Sequence, residues 1–456
     1  MKLSSNKGLI VIISITSCFS VFATNGYNSH GLGTKNKGMA GAGMAIPEQS
    51  IAMANNPASL SKVDESFDFS LSLFSPMRSY SSSVSQANGE FGAFTIDPTS
   101  QNSGREYFII PTISKNWKID DKNAWGVSLY GKGGMNTTWN GGSATFDPDG
   151  PGPANASTFP GVFGGGNPTG VDLSQALFDI GYSRQITDKT SIGVSAVLAY
   201  QLFEANGLDA FAGFTNTFNA SGGTVFPDNL SNNGHDSSIG GGLKVGFHTD
   251  INESVSIAAS YSTKLNMSEF DEYADLFANN GNFDIPATIK TGITFKSQNN
   301  LYTSFDIEHT FYSDVDSIGN PVSNLFSCPA IAGPEGNLNN CLGGSNGAGF
   351  GWNDVTSYKL GFQWGGNNNI VYRTGYSYTD EPVDSKDVIF NILAPGIIEH
   401  HLTFGFTKEL KDTGKEWSMA LMFAPKSKVN GANAFDPSQS IEIAMRQWGL
   451  EFSYGW

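Results

Sequence analysis

Six histidines, His30, His235, His248, His309, His400 and His401, are the side chains whose type first suggests chemistry. Three of them fall in acid-bearing runs, Glu308-His309 and Glu399-His400-His401, the kind of pairing a general base would need. Both stretches read as strands, where neighbouring side chains point to opposite faces, so an adjacent acid and imidazole do not act as a dyad. Glu399 and His401 share a face but have no nucleophile or third ligand beside them in sequence. No catalytic residue, metal-ligand set or cofactor is assigned on these grounds, and the chain does not read as an enzyme. The run Gly38-Met39-Ala40-Gly41-Ala42-Gly43 lacks the preceding strand and the G-x-G-x-x-G spacing of a phosphate-binding loop. Cys328 and Cys341 sit in one Gly/Asn/Pro-rich segment, a spacing that in an oxidising compartment predicts a disulfide closing a short loop. Two thiolates are too few for a structural zinc site.

The elements that carry these residues follow from composition and periodicity. Only 15% of the 456 residues are charged, against a usual value of about 25%, while glycines number 54 and phenylalanines 33. No stretch beyond the first residues approaches the about 20 continuous apolar residues of a spanning helix, which argues against a helical transporter. Period-two alternation is strong instead. Phe67, Phe69, Leu71 and Leu73 alternate with Ser66, Asp68, Ser70 and Ser72, and Ile109, Ile113, Trp117 and Ile119 fall on one parity. Further strands begin near Ala124, Leu173, Thr190, Ser237, Ser254, Ala287, Leu301, Asp354, Asn369, Ile398, Trp417 and Gln439. The total of about fourteen, an even number, predicts a closed antiparallel barrel whose strands show one face to lipid and the other to a lumen.

Connection lengths alternate in phase with this count. Short polar turns occur at Asp120-Asp121-Lys122-Asn123, Thr187-Asp188-Lys189-Thr190, Asp250-Ile251-Asn252-Glu253, Gln298-Asn299-Asn300, Gly365 to Asn369 and Lys411 to Lys415. Long segments lie between them: Ser81 to Gly104, Gly133 to Asp172, Asn206 to Asp236, Asn266 to Pro286, Asp314 to Asn353, Glu381 to Gly396 and Pro425 to Ser438. Short periplasmic turns and long external loops are the pattern of a bacterial outer-membrane barrel. Trp448, Leu450, Phe452, Tyr454 and Trp456 give the last strand a lipid-facing aromatic stripe resembling the signal read by the barrel-assembly machinery. Ile441 and Ile443 break its parity, which requires either a bulge near Arg446 or an apolar upper lumen.

Residues 1–23 read as a signal peptide, with Lys2 and Lys7 as the basic region, Leu9 to Ile15 as the apolar core and Val21-Phe22-Ala23 before the cleavage site. Ile15-Thr16-Ser17-Cys18 is a competing, looser lipoprotein box. Losing both lysines takes the formal charge from -16 to -18, a balance that excludes nucleic acid as a partner. Residues 24–64 fit no barrel strand, and their many Gly and Ala residues suit a segment packed tightly inside the lumen, with the barrel occupying 65–456.

In that segment the sequence resembles the FadL-type outer-membrane transporters of long-chain fatty acids, whose relatives include channels for toluene and other aromatic hydrocarbons. The resemblance rests on Asn25-Gly26-Tyr27-Asn28-Ser29-His30-Gly31-Leu32-Gly33-Thr34-Lys35-Asn36-Lys37-Gly38-Met39-Ala40-Gly41-Ala42-Gly43 and Asn55-Asn56-Pro57-Ala58. It extends to Arg373-Thr374-Gly375-Tyr376-Ser377-Tyr378 and Asn391-Ile392-Leu393-Ala394-Pro395-Gly396. It implies a 14-stranded barrel plugged by an N-terminal hatch, in the outer membrane, admitting hydrophobic compounds by passive diffusion. Asn56, Pro57 and Ala58 match the family's Asn-Pro-Ala motif, and the resemblance makes them the part of the hatch that rearranges with ligand. Pro57 fixes its own φ and biases Asn56 away from helix, so the bare residues read as a kink or a helix-terminating turn. The family's third strand is kinked inward and opens a side passage to lipid, which implies a role for Gly131 and Gly133 in Val127 to Gly134; otherwise a strand simply ends there.

A long-chain fatty acid gains about 0.8 kcal/mol per buried CH₂ and brings a carboxylate that needs a donor or cation. Tail candidates in the external loops are Leu208, Phe211, Phe214 and Phe218, spaced for one helical face, with Leu276 and Phe277. Lumen-parity cations that offer a carboxylate partner are Lys132, Lys244, Lys290, Lys359 and Arg373, opposed to Asp306 and Glu308. The expected partners are a long-chain fatty acid or other hydrophobic small molecule, outer-membrane lipid and the barrel-assembly machinery, and the chain is expected to act as a monomer. A general porin and a surface receptor are the competing functions.

Overall fold

The structure, a computed structural model, describes residues 25–148, 155–411 and 413–456. The signal peptide, its cleavage site and Cys18 lie outside the described residues. Fourteen long strands follow: β1 (Phe67–Ser82), β2 (Phe108–Lys118), β3 (Asn123–Asn136), β4 (Gly170–Gln185), β5 (Thr190–Asn206), β6 (Asp236–Asn252) and β7 (Val255–Ser262), then β8 (Thr288–Lys296), β9 (Leu301–Thr310), β10 (Val355–Gly365), β11 (Ile370–Thr379), β12 (His400–Leu410), β13 (Lys415–Asn433) and β14 (Asp436–Gly455). Each pairs antiparallel with its sequence neighbours, and β14 returns to β1 from Asp68 opposite Gly455 to Ser82 opposite Ile441. The ring is closed, which leaves no edge for lipid to meet. The fourteen-stranded barrel that the alternation predicts is the one observed. Among the described residues no helix is long and apolar enough to cross a membrane, so the crossing is made by strands.

Side-chain parity explains the two faces. Leu198 on β5, Leu243 on β6, Phe305 on β9, Phe404 on β12 and Leu421 on β13 are exposed and point outward, while Asp179, Ser195 and Arg373 on alternate positions are buried inside. Near the short turns the outward row turns aromatic: Trp117 stacks on Trp125 at 4.2 Å between centroids, and Trp364 lies 6.0 Å from Tyr372. Such a girdle suits the membrane interface, where the ring is half apolar and half wet. The turns themselves are made by local chemistry. Asp120 Oδ1 accepts from the backbone N–H groups of Lys122 and Asn123, both at 2.8 Å, and Asn368 and Asn369 take positive φ of 61° and 57° in the β10–β11 hairpin.

Two sequence expectations about the last hairpin need correction or choice. Pro425 to Ser438 is not a loop: β13 runs to Asn433 and β14 starts at Asp436, leaving Ala434 and Phe435 as the turn. The pairing of β1 with β14 runs unbroken past Arg446, so β14 keeps its parity; a register shift does lie opposite Arg446, but on β13, where Ala424 faces Gln447 and Ser427 faces Met445. Ile441 and Ile443 are fully buried because the upper lumen is apolar. External loops fold over this end, and Cys328 is bonded to Cys341 with a Cα separation of 4.9 Å.

Candidate functional site

Under the loops lies an apolar cavity, lined among others by Phe203, Leu208, Phe211, Leu276, Phe277 and Phe390. Its walls come from four connections that meet only in three dimensions. Of the six tail candidates, Leu208, Phe211, Leu276 and Phe277 line it. Phe214 packs at its edge, 6.2 Å from Phe211, and Phe218 turns away to pair with Phe226 at 5.3 Å. The single helical face expected for Leu208 to Phe218 is thus a correction. The stretch is a 3-10 turn at Asp209–Phe214 and a separate helix at Asn216–Ala220. Thr215 divides them: its backbone is extended and its hydroxyl accepts from Phe218 N–H as an N-cap.

The loop between β11 and β12 supplies Phe390 and Leu393 to this cavity and carries two acids with raised affinities for protons. Burial pushes the Glu381 carboxyl up to about 8, helped by nearby Glu399, although its Oε1 accepts from Val383 N–H at 2.9 Å. Burial likewise raises Asp387, whose Oδ1 accepts from Val322 N–H at 2.9 Å.

Below, residues 25–64 run inside the barrel and are tied to its wall on many sides. Ser50 donates to Asp68 from N–H and hydroxyl at 2.9 and 2.5 Å, Lys35 pairs with Glu416 at 2.6 Å, and Lys37 pairs with Glu451. Four of the five lumen cations hold this segment or the wall. Lys244 Nζ bonds Asp179 and Ala54 O, both at 2.7 Å; Lys290 Nζ meets Glu308 at 3.2 Å and Asn55 Oδ1 at 3.1 Å. Lys359 Nζ meets Glu308 at 2.5 Å and His30 O at 3.0 Å, and Arg373 bonds Glu48 at 2.8 Å. Lys132 is the exception: its ammonium has no ion pair or hydrogen bond among the described residues. It borders a lumen cavity of about 450 Å³ together with Leu32, Tyr130, Leu177 and Ile285.

Asn56, Pro57 and Ala58 start a helical turn rather than end one. Asn56 is the N-cap of Pro57–Ser61, its Oδ1 accepting from Ala58 N–H at 3.0 Å while its Nδ2 donates to Phe247 O on β6 at 2.9 Å. The wall is glycine where this turn touches it. A Cβ on Gly246 would lie 1.9 Å from Asn56 Oδ1, and one on Gly193 would lie 2.4 Å from Pro57 C.

Gly131 and Gly133 fall where β3 leaves its neighbour. Pairing of β2 with β3 stops at Ile113 opposite Leu129, although β2 continues to Phe108 along β1. Against β4, β3 carries a register shift between Gly131 and Gly134. The freed stretch pairs with the inner segment instead: Gly134 N–H donates to Tyr27 O at 3.1 Å and Ser29 N–H to Lys132 O at 3.3 Å. A Cβ on Gly133 would meet the Tyr27 ring at 2.5 Å. The wall therefore has a gap between β2 and β3, with Lys132 beside it and Tyr27 behind it.

Residues 12–150 and 156–435 match the family described as Outer membrane protein transport protein (OMPP1/FadL/TodX), which is most of the chain. This chain belongs to that family. The barrel is accordingly an outer-membrane transport protein for hydrophobic compounds. Among solved structures it is similar to the Pseudomonas putida toluene transporter TodX, with a TM-score of 0.61 and 15% identity over 94% of this chain and 99% of that one. A Pseudomonas aeruginosa FadL homologue gives 0.61 and 15% over 96% and 99%, and the Ralstonia pickettii toluene transporter TbuX 0.58 and 16% over 94% and 98%. At such identities the likeness is one of fold. No curated protein matches the chain.

One cation of this family member escapes the sequence reading. Arg78 on β1 is only 3% exposed, its Nη1 donates to Asn136 O at 2.7 Å, and its Nη2 has no partner. No acid lies within ion-pair distance of it among the described residues. The guanidinium borders a small cavity of about 170 Å³ with Met135, Trp352 and Ala394, next along the chain to Leu393 of the large apolar cavity. Its signal was present: Arg78 shares the inward parity of Asp68, Ser70 and Ser72, the rule that picked out the other five cations.

Proposed function

We propose that this channel takes up long-chain fatty acids by ligand-gated, passive diffusion, and that its residues act in sequence from the loops to the lipid. The observation that carries the reading is the buried Arg78 guanidinium, its Nη2 without a partner, on a small cavity next along the chain to the apolar one under the loops. An apolar tail gains by burial among Phe203, Leu208, Phe211 and Phe277, and a carboxylate supplies the acceptor that Nη2 lacks. An uncharged hydrocarbon leaves that donor orphaned, at a cost of about 1–3 kcal/mol whether or not the cavity is filled.

Residues 24–64 act as the hatch in this reading. Tyr27 stands between the outer cavity and the lumen, with Tyr312 at 5.2 Å, Trp352 at 6.0 Å and Phe283 at 6.5 Å from its ring. Movement of that aromatic layer frees the ligand to reach Lys132. From there the gap between β2 and β3 leads sideways into the membrane, with Gly131 and Gly133 permitting the bend. The Asn56-Pro57-Ala58 turn keeps the base of the hatch seated. No step consumes ATP, and net uptake follows the gradient.

The second reading, an aromatic-hydrocarbon channel, is supported by the phenylalanine-rich wall and by the toluene transporters among the similar structures. Uptake of labelled oleate, toluene and a small hydrophilic dye by cells lacking their own hydrophobic-compound channel separates the possibilities. Oleate entry is the expected result; toluene without oleate moves the chain to the aromatic branch, and dye entry with neither removes the hatch and makes it a porin.

A further inference from the structure

A separate group of side chains lies outside the barrel, at the external ends of β4 to β6. Asp172 stands directly opposite Glu204 in the β4–β5 ladder, and His235 directly precedes Asp236, which pairs with Phe203. The three form one row across adjacent strands, on the outward parity of Ile180, Leu198 and Ile239. They begin where the apolar band ends: along β5 the outward row reads Leu198, Tyr200, Leu202 and then Glu204.

Two carboxylates facing each other across a ladder repel, so this pair needs a cation. His235 sits between them, its Nδ1 at 3.2 Å from Glu204 Oε2 and its Nε2 at 3.5 Å from Asp172 Oδ2. One ligand atom from each of the three lies within 4.8 Å of the others. The two short contacts come from opposite nitrogens of the ring, so a single ion is held only once His235 turns one nitrogen toward both carboxylates; a metal at about 2.0–2.1 Å in tetrahedral geometry needs ligand atoms about 3.3 Å apart, which side-chain rotation reaches from the 4.8 Å spread. The remaining carboxylate oxygens are already occupied as an outer shell requires. Asn136 Nδ2 donates to Asp172 Oδ1, and Asn206 Nδ2 to Glu204 Oε1 at 3.0 Å, which leaves Oδ2 and Oε2 turned toward the imidazole. Asn136 is fully buried and its own Oδ1 has no partner. Arg105 Nη1, on a half-exposed side chain 3.0 Å from Asp172 Oδ2, is the resident counter-charge.

We propose that Asp172, Glu204 and His235 form a transition-metal site of the Zn²⁺ class that pins β4, β5 and β6 together at the external rim. Imidazole with two carboxylates favours Zn²⁺ or Co²⁺ over Mg²⁺ and Ca²⁺, which prefer oxygen ligands throughout. Binding displaces Arg105 and leaves one coordination position open to solvent.

The test uses the full-length barrel in detergent, without a histidine tag, stripped with a chelator and titrated with Zn²⁺ or Co²⁺ alone. Zn²⁺ is expected to raise the unfolding temperature reversibly, and Co²⁺ to give visible absorption bands. His235→Ala, at an exposed position that the fold does not need, is expected to lose both. Asn206→Ala is expected to weaken binding about tenfold or more through the lost outer-shell bond, and Arg105→Ala to tighten it by removing the competing charge. Absence of binding to the wild type, or equal binding to His235→Ala, overturns the site.

Discussion

Arg78 and Glu381 carry opposite lessons about a buried charge. A guanidinium with a free donor beside an apolar cavity is poised for an anion, and replacing it removes a charge-assisted bond of about 1.5–3 kcal/mol, or about 10–150-fold in affinity. Arg78→Ala is therefore expected to lower oleate uptake at subsaturating concentration by that factor while leaving toluene entry unchanged, with Arg78→Lys between; equal loss for both compounds would mean that Arg78 only holds Asn136. Glu381 is the reverse case, a carboxyl whose folded site favours the proton. Its folded-state pKa of about 8 lies above the ordinary carboxylate range, so its contribution is complete at acid pH and is lost as pH rises through about 8. Hydrogen exchange in the β11–β12 loop is expected to accelerate between pH 6 and pH 9, on either side of about 8, and to do so less in Glu381→Gln. The sequence exposes the types of both residues but not their isolation, because burial without a partner is a property of surroundings assembled from distant loops.

Among the elements, strands were legible in proportion to how different their two faces are. Where lipid meets one side and a polar lumen the other, alternation is unmistakable, as from Phe67 to Leu73. Above the membrane both faces of β13 and β14 meet water or loops, and Pro425-Lys426-Ser427-Lys428 has no period that marks a strand. The helical spacing of Leu208, Phe211, Phe214 and Phe218 misled for a related reason: Thr215 caps a second helix, a local hydrogen bond that outweighs the stripe. The fit of the inner segment to the wall was invisible until the strands faced it. A side chain on Gly246 has no room beside Asn56 Oδ1, so Gly246→Val is expected to unseat the Asn56-Pro57-Ala58 turn and admit a hydrophilic dye. Gly365→Val, with nothing within 4 Å, is the control, and a Gly246→Val barrel that stays closed to dye would refute the seating role.

At the scale of the whole molecule, composition and the count of alternating segments sufficed for the closed barrel, because lipid penalises every unpaired backbone group. The outward face should then behave as a membrane surface: Leu198→Arg, near the middle of the apolar band, is expected to cost about 2–4 kcal/mol of folding free energy in a bilayer, measured by urea titration in vesicles. The inside follows a different logic, since it is filled by the chain's own first described residues. Asp68, at the start of β1, accepts from Gln49 and Ser50, while its neighbour Phe67 exchanges backbone bonds with Trp456. The joint where the beginning of the ring meets its end is thus also the fastening of what it encloses. With Asn56 lodged against Gly246 on β6 and Pro57 against Gly193 on β5, there is no clearance for this segment to be threaded into a finished barrel. The wall must be wound around its contents, and a peptide of residues 24–64 added to a closed barrel that lacks them is expected to remain outside.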